Sequence, residues 1–137
     1  MISDKEKFLR KFGDGDIWIS ESGEISTSID VDPIEFDKPI ARTFSGVFLR
    51  FFSPGKLFLR CVYKDGYEHG ECTTWDESGK ITLVETFKRG QKEGCEYEYS
   101  EDGTILQNFY SDDVLQSWKK FDETGKIISE DSYKDYD

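Results

Sequence analysis

The chain has 137 residues, with 18 Lys plus Arg against 29 Asp plus Glu, for a formal net charge of -11. That balance excludes the basic footprint of a nucleic-acid binder and weighs against an anionic lipid surface, while it would steer a basic partner inward. Hydrophobic residues make up only 36%, too few for a thick core, yet aromatics reach 15%, which excludes an acidic disordered chain and points to a thin structure pinned by large rings.

The start, "MISDKEKFLR", has no basic segment followed by an apolar run, so no signal peptide is expected, and no apolar run approaches a membrane span. Ser3 with Glu6 three residues later is a capping-box pattern, and Phe8 and Phe12 fall on one helical face. The prediction over residues 3–12 is a short helix, with an edge strand as the alternative. "FGDGDIWISESGEI" follows and reads as a degenerate hairpin with Gly23 as its turn glycine. In "IDVDPIEFDKPIART", Pro33 and Pro39 break any central strand and accompany Asp30, Asp32, Glu35 and Asp37. Insertions into repeat arrays commonly form the binding face, so these four carboxylates are candidate partner-binding residues. They lack EF-hand spacing, and no metal is expected there.

From about residue 43 the chain repeats itself. "WDESGK" at 75–80 returns as "FDETGK" at 121–126, with "YSEDGT" between them at 99–104. Gly55, Gly79, Gly103 and Gly125 step by 24, 24 and 22 residues, and an aromatic lies four before each: Phe51, Trp75, Tyr99 and Phe121. Gly46, Gly70 and Gly94 keep the beat of 24, as do Gly66 and Gly90. A further aromatic series, Tyr63, Phe87, Tyr110 and Tyr133, runs beside them. The segments between are of strand length and rich in β-branched and aromatic residues. In "CEYEY", Cys95, Tyr97 and Tyr99 face one way, Glu96 and Glu98 the other.

The fold expected is therefore all-β: tandem hairpins forming an elongated antiparallel meander over 43–137, preceded by a 1–42 segment holding the helix, the degenerate repeat and the acidic insertion. Gly55, Gly79, Gly103 and Gly125 supply the positive φ of the turns. Trp75, Tyr99 and Phe121 form a structural aromatic spine. Glu96 and Glu98, taken as exposed, extend the acidic surface.

Nothing in the residues marks catalysis. His69 is the single histidine, reads as part of a turn, and stands where other copies have Ser45 and Glu93. There is no GxSxG, and "GDGD" is not followed by GK[ST]. Cys61, Cys72 and Cys95 are odd in number with no CxxC pair, which points to a reducing compartment, to small hydrophobic roles, and to Cys72 and Cys95 on opposite faces. No cofactor or enzymatic activity is expected, and the location expected is cytoplasmic.

The alternation "YKDGYEHGECTTWDESGKI" followed by "FKRGQKEGCEYEYSEDGTI" resembles the bacterial variant of the MORN repeat, and especially the YwqK-type antitoxin family. The residues carrying the resemblance are Tyr63, Gly66, Gly70, Trp75, Gly79 and Lys80, then Phe87, Gly90, Glu93, Gly94, Tyr99 and Gly103, then Tyr110, Phe121, Gly125 and Lys126. The resemblance implies tandem β-hairpins and a non-catalytic protein-binding role, as an antitoxin or immunity protein that neutralises a basic toxin or effector. The alternative it implies is a structural scaffold without a toxin partner.

Overall fold

A computed structural model describes residues 2–27 and 44–133. Helix α1 (Asp4–Phe12) is followed by β1 (Asp16–Ser20), β2 (Ile25–Ser26), β3 (Gly46–Ser53), β4 (Lys56–Lys64), β5 (Tyr67–Trp75), β6 (Ile81–Lys88), β7 (Gln91–Lys92), β8 (Gly94–Tyr99), β9 (Ile105–Ser111), β10 (Val114–Phe121) and β11 (Ile127–Ser132). All the strands join one 11-stranded sheet, ordered β11-β10-β9-β8-β6-β5-β4-β3-β1-β2, with β7 paired to β6. Every pairing is antiparallel. The elongated all-β meander expected from the repeats is what forms.

Two kinds of turn alternate. The long turn is the repeated six-residue phrase. Asp76 N–H donates to the Lys80 carbonyl at 2.8 Å, and Gly79 N–H donates to the Asp76 carbonyl at 3.0 Å. The same two bonds recur as Ser100–Thr104 with Gly103 and as Asp122–Lys126 with Gly125, and the degenerate hairpin repeats them as Ser20–Glu24 with Gly23. Gly79, Gly103 and Gly125 hold φ of 91°, 88° and 89°, where a Cβ is strained. The Asp76 carboxylate accepts from Ser78 N–H, Ser78 Oγ and Lys80 N–H, and Asp122 does the same with Thr124 and Lys126. These bonds, led by the hydroxyl, hold both carboxyls below their ordinary pKa.

The short turn is a two-residue type I′ turn. Its central residues are Asp65-Gly66, Arg89-Gly90 and Asp112-Asp113, all with positive φ. Besides glycine, Asp65, Arg89, Asp112 and Asp113 enter this region. A backbone bond ties each short turn to the residue two before the glycine of the preceding unit: Gly66 N–H to Phe44 O, Gly90 N–H to Glu68 O, and Asp113 N–H to Lys92 O, at 2.7–2.9 Å. Two residues on, Gly46, Gly70 and Gly94 lie directly across from Tyr63, Phe87 and Tyr110. The two series are thus one feature, a positive-φ glycine directly opposite an aromatic across the ladder. Ser117 breaks the series in the last unit, across from Ser132.

The apolar core sits at one end. Ile17, Ile19, Leu49 and Phe51 are buried together, with Leu9, Val47 and Leu57 against them. Leu9 brings α1 onto this face. Ser3 caps the helix by accepting from Glu6 N–H at 3.1 Å. The Glu6 side chain does not complete a capping box. It is buried, with Arg60 Nε at 2.8 Å and Arg10 Nη2 at 2.9 Å. Phe8 and Phe12 share a face as expected, with centroids 4.9 Å apart, but that face is exposed.

The cysteine expectation is corrected. Cys61 and Cys72 are opposite each other in the β4–β5 ladder, their Cα atoms 4.2 Å apart, and form a disulfide. The hairpin register brings together residues 11 apart in sequence, which an odd cysteine count does not preclude. Cys95 stays free on the other face, as expected relative to Cys72.

Two outcomes follow from the backbone and the helix dock. Gly79 has open space around a built Cβ, so Gly79→Ala meets only the φ strain of about 1 kcal/mol. At Gly46, φ is 152° and a Cβ collides with the Ile19 carbonyl oxygen and the Ser20 backbone, so Gly46→Ala costs about 3 kcal/mol. Urea unfolding of both variants measures the difference, and equal losses contradict the assignment. Arg60→Met leaves Glu6 buried beside Arg10 alone and costs about 3 kcal/mol, whereas Glu6→Leu combined with Arg60→Met recovers most of that loss in the same assay.

Candidate functional site

Past the N-terminal core the sheet has two faces and, among the described residues, no second layer over either. The face shared with α1 carries Trp75, Tyr97 and Cys95. The opposite, open face carries a row set by the register: Phe48, Cys61, Cys72, Glu85, then Glu96, Asn108 and Trp118. The row begins apolar and becomes polar at β6.

At its centre Lys92 Nζ lies 3.5 Å from Glu85 and 3.2 Å from Glu96, and 4.8 Å from the centre of the Tyr110 ring. Asn108 Nδ2 reaches Glu96 at 3.5 Å. Glu96 is buried at 5% exposure, so it is not the exposed glutamate the alternation suggested. Alternation tells which face a residue takes, and here Lys92 and Asn108 cover that face. Burial pushes the Glu85 carboxyl upward, opposed by Lys92 and reinforced by Glu96. Lys92 is raised: burial would lower it, but its bond to Glu96 and the surrounding charges prevail. Glu98 does remain exposed, paired across Leu83 and Leu106.

The other sequence candidates fall as follows. Asp30, Asp32, Glu35 and Asp37 lie outside the described residues. Gly55, Gly79, Gly103 and Gly125 all occupy turns with positive φ. Trp75, Tyr99 and Phe121 take equivalent strand ends, each across from an isoleucine: Ile81, Ile105 and Ile127. They are half-exposed rather than a sealed spine, with Tyr99 at 38%. Trp75 lies under the Arg10 guanidinium, 5.8 Å from the ring centre, beside a shallow cavity of about 350 Å3 that reaches Gly79. His69 is on β5 next to a short turn rather than within it. It lines a second cavity of about 560 Å3 with Lys64, Asp65, Tyr67, Lys88 and Arg89. This basic cluster is not legible in the sequence, because its members come from turns 24 residues apart in a chain whose total charge is acidic.

Among the described residues, no group of three or more His, Cys, Asp or Glu side chains is placed to hold a metal ion. None of the described helices is long and apolar enough to cross a membrane.

A family model described as a MORN repeat variant matches residues 68–89 and 117–135. The chain contains a partial MORN-repeat domain. The first match is the β5–β6 hairpin around the Trp75–Gly79 turn, and the second is the β10–β11 hairpin around Phe121–Gly125. The unit between them has the same turn bonds and the same glycine–aromatic pair, so the MORN-like geometry continues through residues the match omits. No curated protein matches the chain. The arrangement, a repeat sheet with shallow surfaces, is consistent with a non-catalytic protein.

The polar row makes one expectation concrete. A raised carboxyl contributes stability that is fully present below its unfolded pKa and is lost as pH rises through the folded value. For Glu85 that places the penalty at neutral pH, where Lys92 offsets it. Lys92→Met removes the cation that Glu85 and buried Glu96 share and costs about 3 kcal/mol at pH 7, and because the Glu85 carboxyl is already raised the gap to the native protein narrows as pH falls and Glu85 takes up its proton. Thermal melts from pH 7 to 4 measure it; a gap independent of pH contradicts the row.

Proposed function

We propose that the protein is a non-catalytic protein-binding module, and that it acts as an antitoxin or immunity protein which neutralises a basic toxin or effector by direct contact. The observation that supports this most is the uncovered sheet from β6 onward. Tyr99, Phe109, Val114, Ile127 and Ile128 are all exposed on repeat hairpins that expend their own hydrogen bonds on one another. Such a surface is stable without a partner and still has apolar area to cover. The net charge of -11 supports a basic partner, since opposite charge speeds encounter.

In this reading the contact unit is the 43–137 repeat array together with the acidic carboxylates Asp30, Asp32, Glu35 and Asp37 from the preceding segment. Glu98 extends that surface, and Glu96 serves it indirectly by holding Lys92. The test begins with affinity capture from the native cell and mass spectrometry of the bound protein. Association rates with that protein are then measured against sodium chloride. The rate is expected to fall as salt rises, and to fall about tenfold at low salt when Asp30, Asp32, Glu35, Asp37 and Glu98 are changed to Asn or Gln. A captured protein whose rate ignores both salt and the substitutions overturns the electrostatic reading, and one without toxic activity overturns the antitoxin reading.

A further inference from the structure

The three short turns are copies, but one of them lacks a part. Asp65 N–H donates to Ser45 Oγ at 2.9 Å, and Asp112 N–H donates to Glu93 Oε2 at 2.7 Å. Ser45 and Glu93 are the residues immediately before Gly46 and Gly94. The residue in that position of the middle unit, before Gly70, is His69, and its turn partner is Arg89. Among the described residues, no acceptor meets the Arg89 N–H.

Arg89 and His69 both line the cavity of about 560 Å3, together with Lys64, Asp65, Tyr67 and Lys88. Three cations stand there against one carboxylate, and among the described residues none of the three has an ion-pair partner. Tyr67 is exposed at 49% and packs beside Gly90, giving the cavity an aromatic wall. Glu93 and Asp112 adjoin Lys88 and Arg89 on the far side and end the basic stretch.

We infer that this edge binds an acidic, extended segment of another protein, whose Glu or Asp side chain accepts from Arg89 N–H in the place Glu93 fills for Asp112. The chain itself supplies the template, a carboxylate on the N–H of a type I′ turn. Lys64 and Lys88 end strands β4 and β6, two strand spacings or roughly 10 Å apart, which an extended chain covers in about three residues. A lone phosphate group does not reach from one turn to the other with the Arg89 N–H between, so a segment with acidic residues about three apart is the matching ligand. This surface uses different residues from the acidic one proposed above, so either can fail alone.

The test uses the full chain, labelled with 15N, and the acetylated peptide Glu-Ala-Ala-Glu, with its Gln-Ala-Ala-Gln counterpart, inorganic phosphate and phosphatidylserine vesicles as the other arms. The Arg89 amide is expected to move in a saturable way with the Glu peptide only. Lys88→Ser with Arg89→Asp copies residues 111 and 112 of the sibling turn, so it retains the fold, and it should weaken binding about tenfold. His69→Glu fills the vacancy from within; it should raise the melting temperature and abolish the peptide shift. The inference is overturned if the Gln peptide binds equally, if phosphate or vesicles displace the Glu peptide at matched charge concentration, or if His69→Glu binds as the native chain does.

Discussion

Beyond the α1 dock, the described residues put no second layer on the sheet to hold its strands in register, so register there comes from the turns. Here it comes from backbone in the left-handed region at both edges of the sheet: glycine in the long turns, and glycine, aspartate or arginine in the short ones. Each turn twists the chain with the hand its flanking strands need, and each short turn is bonded back to the preceding unit. A one-residue slip of β3 would exchange its two faces and expose Leu49. The glycine–aromatic pairs recur at every second strand, and the positive φ of Gly46, Gly70 and Gly94 is what excludes a side chain there.

Stability is unevenly spread along this frame. The N-terminal end has the apolar cluster, the docked helix and the Glu6–Arg60–Arg10 group. From β6 onward, among the described residues, the buried ones are Glu96, held by Lys92, and Asn108, which bonds Glu96, and β11 is exposed along its whole length. Elements with little buried apolar area open most readily, and they are also the ones with surface left for a partner. A polar row in place of a core makes that end depend on correct pairing of charges rather than on volume.

The same unevenness applies to charge. The chain is acidic as a whole, yet the edge between two short turns is cationic because Lys64, Lys88 and Arg89 come together across three strands. Net charge describes the long-range field that a partner meets first, while binding is decided by the few groups within contact distance. The two properties differ in sign on this protein.

The sequence by itself determined the hairpin array, because turn glycines and strand-end aromatics act locally and their 24-residue beat is visible in one dimension. It also determined the helix cap, the degenerate first hairpin around Gly23, and the opposite faces of Cys72 and Cys95. The tertiary structure alone decided the rest. Glu6 turned inward to Arg60, a residue 54 positions away, instead of back to its own cap. Cys61 met Cys72 because the β4–β5 register places them opposite. Glu96 became buried because Lys92 and Asn108 reach over it, and His69 left one turn N–H open because its two counterparts bond theirs. Each of these depends on which side chains become neighbours across strands, and that follows from register and twist, which a linear pattern of residue types does not contain.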